Sequence, residues 1–388
     1  MTRRLLGWGA LWLALMTMAT AARADPAGLI VRLRDAEPAQ QAPEGRERVA
    51  RVLADQQAPL SVGAPVSGRW HALRPHKPMT AQALKAWAAR LRADPRVSAV
   101  VTHLREQPMA VTPSDSLYAQ QWWLKSVVSG NTGVAGFADA WGRSTGAPVS
   151  GSAPVVAVLD TGVVSHPDLN PRVVGGYDFV SNADYAGDGN GRDADFSDNG
   201  NAVTDAERTA QPDVFGDCPR VPVSTWHGTL IGGQVAAVSD NTEGVAGASW
   251  AAGLLAVRVA GKCGADIRDV IDGMRWAAGL DVAGVPRNTA HPARLIVLTY
   301  GNADPCNAGH SDPEIAGAAA LYLDAIDEVR QAGAVVFVAA GNDNAQVGRP
   351  AGCSGAFAVA ALNREGYKAK YSNFGQYIAL SAPGGDTD

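Results

Sequence analysis

The chain has 388 residues, enough for two or three domains, and 46% of them are apolar against 18% charged, a balance that excludes a largely disordered protein. The formal charge is −5 and basic residues do not cluster, which excludes a nucleic-acid footprint. The first 24 residues read as an export signal. Arg3 and Arg4 form a positive start, residues 5–18 an apolar run, and Ala22-Arg23-Ala24 a small-x-small cleavage site. The apolar run falls short of the roughly 20 residues a bilayer span needs, and no later stretch reaches that length. The expectation is a secreted protein with no membrane association after signal cleavage. In an oxidising compartment Cys218, Cys263, Cys306 and Cys353 favour two disulfides, and spacing alone leaves all three pairings open.

Residues 25–114 predict a small α+β domain in the order β-α-β-α-β. Residues 29–34 read as a half-buried strand, 46–56 as a short helix and 69–73 as a second strand. Thr80 reads as the N-cap of a helix to about Arg92, with Leu84, Trp87, Ala88 and Leu91 on one face. A third strand covers 97–104, and residues 111–115 read as an exposed linker. From about 116 the pattern changes. Short apolar runs at 155–159, 254–259, 295–298, 335–340 and 357–361 alternate with helical stretches at 227–238, 267–278 and 315–331. That alternation predicts an α/β domain with a parallel sheet between helices, whose site lies at the carboxyl ends of the strands. Residues 178–222 are rich in Asp, Asn and Gly without a regular period, long for a loop and so either functional or stabilised by an ion.

Three features fall at that edge of the sheet. One strand ends in Asp160-Thr161-Gly162, a helix opens with His227-Gly228-Thr229, and another strand ends in Gly341-Asn342. Singly, each has an ordinary explanation: a strand-ending turn, a surface histidine, a turn asparagine. Asp-Thr-Gly is also the aspartic-protease tripeptide, but that chemistry needs a second carboxylate of the same kind, and no other Asp-Thr-Gly or Asp-Ser-Gly occurs. Together, the order of acid, base and amide donor is that of a Ser-His-Asp hydrolase whose serine comes last.

At residue level the chain resembles the subtilisin-like serine proteases. Residues 156–163, followed by Ser165-His166-Pro167-Asp168-Leu169, are similar to the family's aspartate motif. His227-Gly228-Thr229 is similar to its histidine motif, and residues 338–343 to its oxyanion motif. Residues 371–375 and 382–385 are similar to the stretch before its serine. The resemblance covers about 116–388; residues 25–114 resemble the family's inhibitory pro-domain, of ferredoxin-like build, in the order of their elements. It implies a secreted endopeptidase zymogen acting on protein or peptide substrates, with its own pro-domain as a partner. Asp160 would orient the imidazole, His227 would be general base and then acid, and Asn342 would stabilise the oxyanion. Thr299, Tyr300, Gly301 and Asn302 would line the P1 pocket, and Lys262-Cys263-Gly264 would be an edge strand pairing with substrate backbone.

The resemblance also implies structural calcium. Asp168 and Asn241 match one family site, with Gln120 or Gln121 in reach, and Asp184, Asp188, Asn190, Asp193, Asp195 and Asp198 form a second acidic cluster. Cys218–Cys263 and Cys306–Cys353 are the expected pairs, because each would clamp a substrate-lining loop. The sequence departs from the family at Leu230, where a second histidine is usual, and at Asn302, which replaces a common glycine. No Gly-Thr-Ser-Met-Ala-like motif follows residue 385, so the expectation is a catalytic domain cut before its nucleophile. The rival expectation is a catalytically inactive binding or inhibitory module on the same fold.

Overall fold

The computed structural model describes residues 28–34, 42–67, 69–103, 110–148 and 150–386. The expected export signal lies outside these residues. Contacts divide the chain into two compact units, Met1–Gln107 and Pro108–Asp388.

In the first unit, β1 (Leu29–Leu33), α1 (Ala42–Asp55), β2 (Leu60–Ser67), β3 (Trp70–Pro75), α2 (Ala81–Ala93) and β4 (Val97–Thr102) follow one another. The order is β-α-β-β-α-β, the ferredoxin-like arrangement, with one strand more than the sequence pattern predicts. The extra strand, β2, carries Gly63 and Pro65, which argue against a strand. It survives because it is the edge of the antiparallel sheet β2-β3-β1-β4, and its register shifts around Pro65. Thr80 caps α2 as expected, its hydroxyl accepting from the Ala83 amide at 3.2 Å. Leu84, Ala88 and Leu91 turn inward onto Leu29, Val31, Leu73 and Val100, a core of this unit's own.

The second unit is built on seven parallel strands in the order β13-β12-β11-β10-β5-β7-β6. In chain order these are β5 (Val155–Asp160), β6 (Val173–Asp178), β7 (Gly253–Arg258), β10 (Leu295–Leu298), β11 (Val335–Ala339), β12 (Ala356–Leu362) and β13 (Ile378–Pro383). A small hairpin, β8 (Ala260–Gly261) and β9 (Gly264–Ala265), lies between β7 and β10. The three expected helices appear as α3 (His227–Ala236), α4 (Ile267–Ala277) and α5 (Pro313–Gln331). The two edge strands, β6 and β13, were not foreseen. β6 reads Val-Val-Gly-Gly-Tyr-Asp and β13 ends in proline, both weak as strands by propensity.

Side chains alternate across each strand, so the sheet has two cores. Ala157, Leu159, Val257 and Val338 face α4 and α5 with Met274 and Ile326. Val158, Leu254 and Ala256 face α3 with Ala236. Residues 111–115 are not an exposed linker. Pro113 and Asp115 are buried, and the Val111 amide donates to the Ala138 carbonyl of the same unit.

The acidic segment 178–222 contains three short helices and is tied down by arginines. The fully buried Arg258 guanidinium pairs with Asp178 and Asp188 and donates to the Ala186 carbonyl. Arg192 pairs with Asp269 at 2.6 Å and Asp272 at 2.7 Å. Both expected disulfides are present, Cys218–Cys263 and Cys306–Cys353, with Cα separations of 4.8 and 5.0 Å.

Candidate active site

Asp160 ends β5 with its carboxylate almost fully buried, a costly placement without partners. It has three kinds. The Thr161 amide donates to Oδ1 at 2.7 Å, the Thr299 hydroxyl to Oδ2 at 2.6 Å, and His227 Nδ1 lies 2.9 and 2.8 Å from the two oxygens. Thr299 follows β10, the strand beside β5, so adjacent strand ends build one carboxylate cradle. The Asp160 hydrogen bond raises the proton affinity of His227 above the usual histidine value, against the opposing effect of burial.

His227 is the first residue of α3, whose opening is pressed against the Asp160–Gly162 turn. A Cβ on Gly228 would come within 2.1 Å of the Gly162 carbonyl oxygen, so only glycine fits. The preceding Trp226 has φ +51 and caps no helix amide with its side chain.

Asn342 follows β11 at the same edge. Its loop is fixed by the buried Asn373, whose Oδ1 accepts from the Asp343 and Ala345 amides at 2.8 and 3.1 Å. The Asn373 amide in turn donates to the Gly341 carbonyl at 2.9 Å. Gly341 has φ +106, and a Cβ there would strike the Asn373 side chain. The Tyr-Ser-Asn stretch thus positions Asn342, a role that sequence similarity alone does not reveal.

His227, Thr299 and Asn342 line one cavity of about 410 Å³, floored by Phe337, Val359 and Ala361 from the bare face of β11 and β12. Ser372 lines it too, but its hydroxyl donates to the Asn373 carbonyl and accepts from the Ala361 amide, and its side chain is buried. It is not a free nucleophile. A second cavity of about 290 Å³ brings Gly264, Tyr300, Gly301 and Asn302 together. Thr299 does not line it and serves Asp160 instead. Tyr322 from α5 and Arg349 were not foreseen there. Gly301 is required because a Cβ would meet the Arg349 carbonyl oxygen at 2.7 Å. The Cys306–Cys353 bridge holds the segment of Asn302 to that of Arg349. Lys262-Cys263-Gly264 is no extended edge. Lys262 and Cys263 form the turn between β8 and β9, with φ +69 at Cys263 and the Lys262 ammonium bound to Glu207.

The two candidate cation loci differ. Asp168 accepts from the Asn241 side-chain amide at 2.8 Å and the Val245 amide at 2.9 Å. Asp115, which no sequence motif marks, accepts from the Asp240 amide at 2.7 Å, while its other oxygen is buried without a partner. Burial pushes the Asp115 carboxyl above its usual range, and the charges of Asp168 and Asp240 add to that. Gln121 bonds the Ala246 backbone through both ends of its amide. An orphaned, buried carboxylate oxygen is the kind of donor a hard cation takes, but among the described residues no cage of three or more His, Cys, Asp or Glu converges on it. In the acidic segment, Asp188 is taken by Arg258, and Asp193 and Asp195 accept amides of their own loop. Asp198 leaves the cluster for Thr161. Among the described residues no three or more His, Cys, Asp or Glu converge as a metal cage, so Asp184, Asp188, Asp193 and Asp195 do not form one.

Residues 151–387 match the sequence profile described as the Subtilase family. The chain belongs to the subtilase family. It is 39% identical over 76% of its length to an extracellular protease of Xanthomonas campestris pv. campestris. It is 36% identical over 70% of its length to an extracellular basic protease of Dichelobacter nodosus. It covers 46% and 41% of those two relatives, less than half of each. A solved protease structure from Pseudoalteromonas arctica matches with 39% identity and a TM-score of 0.61, over 72% of this chain and 74% of that one.

Proposed function

We propose that the chain is the precursor of a secreted serine endopeptidase acting on protein or peptide substrates. The observation that carries this is the Asp160–His227 pair. Nδ1 is held by both oxygens of a buried carboxylate, which leaves the second ring nitrogen to accept a proton. The imidazole lines the same cavity as Asn342, whose amide can donate to an oxyanion. Asp160 fixes the tautomer, His227 is general base and then general acid, and Asn342 is an oxyanion donor. The cavity at Gly264, Tyr300, Gly301 and Asn302 receives the substrate side chain before the scissile bond. The nucleophile comes from outside the described residues, since the one serine of the His227 cavity is engaged with backbone. Residues 25–114 act as the inhibitory pro-domain, and the extracellular relatives support export by residues 1–24. Asp115, Asp168 and Asn241 hold a structural calcium ion, which would neutralise the buried carboxylates.

The test is peptide hydrolysis by the protein in its full natural length. His227→Ala is expected to lower kcat by about 10⁶-fold, because the acid, base and nucleophile act as a unit. A variant that keeps turnover within tenfold of the parent, about 1.4 kcal/mol in barrier, would sink the assignment.

A further inference from the structure

Asp198 has no role in the pair described above, yet it is buried beside it. One carboxylate oxygen accepts the Gly200 amide at 2.8 Å. The other accepts the Thr161 hydroxyl at 2.6 Å. That hydroxyl accepts in turn from the Gly228 amide at 2.9 Å. A chain of hydrogen bonds therefore runs from the Gly228 backbone, next to His227, through Thr161, next to Asp160, to a second acidic residue, Asp198. Each partner in it is a buried group.

The helix needs this chain. The first amides of any helix lack internal partners and normally find a side-chain acceptor at the N-cap. Trp226 occupies that position and supplies none. Thr161 takes its place from another segment. A threonine hydroxyl has a single proton, and donating it to Asp198 turns its lone pairs toward Gly228. The carboxylate also sets a negative charge behind the N-terminal end of α3, where the helix dipole favours one.

The backbone holds Asp198 in this position. The Asp198 amide donates to the Val163 carbonyl, and the Val163 amide to the Phe196 carbonyl. Gly162, at φ +90, allows the approach, because a Cβ there would lie 2.4 Å from the Phe196 carbonyl oxygen.

We propose that Asp198 is a positioning residue for the Asp160–His227 pair, acting through the Thr161 hydroxyl on the backbone of Gly228. The proposal rests on the reading of that pair as the acid and base of the enzyme. It assigns Asp198 a second effect. The charged groups acting on the imidazole are Asp160, at the end of β5, and Asp198; both favour the protonated ring, with Asp160 the stronger. No charged residue stands on α3 itself. The Tyr300 phenol feels the same two charges, and burial keeps it neutral. The oxygen-to-oxygen distance of 2.6 Å makes the Thr161–Asp198 bond a short one, with the hydroxyl donating to the carboxylate.

The experiment follows the imidazole itself and needs no turnover. The 388-residue chain, labelled at histidine, is titrated by NMR, with His227→Gln to assign the resonance. Asp198→Asn keeps the shape and removes the charge, leaving one acceptor oxygen where the Thr161 hydroxyl and the Gly200 amide now have two. It is expected to lower the pH at which His227 titrates, because it removes one of the two charges that favour the protonated ring. Asp160→Asn is expected to lower it by more. If Asp160→Asn moves the titration and Asp198→Asn does not, the proposal for Asp198 fails and the pair stands. If neither moves it, the pair itself is misassigned. If Asp198→Asn does not fold, Thr161→Val against Thr161→Ser decides. Thr161→Ser keeps the hydroxyl and is expected to protect the Gly228 amide from hydrogen exchange as the parent does. Thr161→Val is expected to exchange it at least about tenfold faster, the equivalent of one lost hydrogen bond. Equal exchange in the two variants overturns the proposal.

Discussion

The two halves of the large sheet are built differently. β5 and β7 carry buried residues at nearly every position, because α3 covers one face and α4 the other. β11, β12 and β13 alternate or lose burial, and on the α3 side Phe357 and Leu380 stay 42% and 41% exposed. The acid–base pair sits on the covered half, where Asp160 can be dry and fully partnered. Asn342 and the open cavity sit on the bare half. Under the proposed function, the groups that must be oriented before substrate arrives are rooted in the packed half, while the half that would admit a substrate keeps an apolar floor open.

The largest effects concern the pair across the two halves. In the protein of full natural length, Asn342→Ala is expected to lower kcat by about 10²–10³-fold, with KM little changed, because the oxyanion exists only in the transition state. A proportional rise in KM would make Asn342 a binding residue instead. The 388-residue chain is expected to show no labelling by a serine-directed fluorophosphonate. Stoichiometric labelling would identify a reactive serine among these residues and break the assignment of Ser372 as structural.

Packing should divide along the same line. Leu159→Ala removes a side chain with no exposure and is expected to cost about 3–5 kcal/mol in chemical denaturation. Phe357→Ala, on the bare face, is expected to cost about 1 kcal/mol or less. Equal costs would mean that the bare face is covered in solution. Calcium tests a third region. At about 100 times its dissociation constant, it should stabilise the chain by about 2.7 kcal/mol, read as a rise in Tm. Asp115→Asn should weaken that response, since it removes the charge of the orphaned carboxylate. A Tm unchanged by calcium or chelator would reject the site.

The smallest effect is the pH dependence of the pair. The folded-state pKa of His227 is raised above the unfolded value of 6.5. Its stabilisation is therefore fully present below that value and fades as pH rises through the folded pKa. The parent should exceed His227→Gln in denaturation midpoint at about pH 5.5, and the gap should narrow by about pH 9. The side chain is 42% exposed, so solvent screening holds the difference to about 1 kcal/mol or less. A gap that widens with pH would reverse the assigned direction.

Much of this was legible in the chain itself. The central strands and the three long helices follow from apolar runs alternating with helical periods, since a parallel sheet buried on both faces leaves that signature. Asp160, His227 and Asn342 are readable because each stands where a strand ends or a helix begins, within a motif. The disulfide pairs follow from which loops flank those ends. The edge strands β2, β6 and β13 were hidden, because glycine and proline there oppose local propensity, and only hydrogen bonds from a neighbouring strand make them strands. Thr204-x-x-Glu207 is a helix-start signal within an aperiodic segment, and the capping box is present.

What the sequence determined by itself, then, is the set of local conformations and the residue types at their ends, since both depend on neighbours within a few positions. Which distant groups meet was decided by the tertiary structure. Arg258 draws Asp188 out of an apparent calcium cluster because a buried guanidinium must be neutralised. Thr299 bonds Asp160 and lines the His227 cavity rather than the one at Tyr300 and Asn302, because strand pairing sets the two strand ends side by side. Asp115 becomes a candidate ligand, and Asp198 a neighbour of the acid–base pair, only when loops far apart in sequence close on them. Burial sets the strength of a charge interaction, and burial belongs to the fold rather than to any stretch of chain.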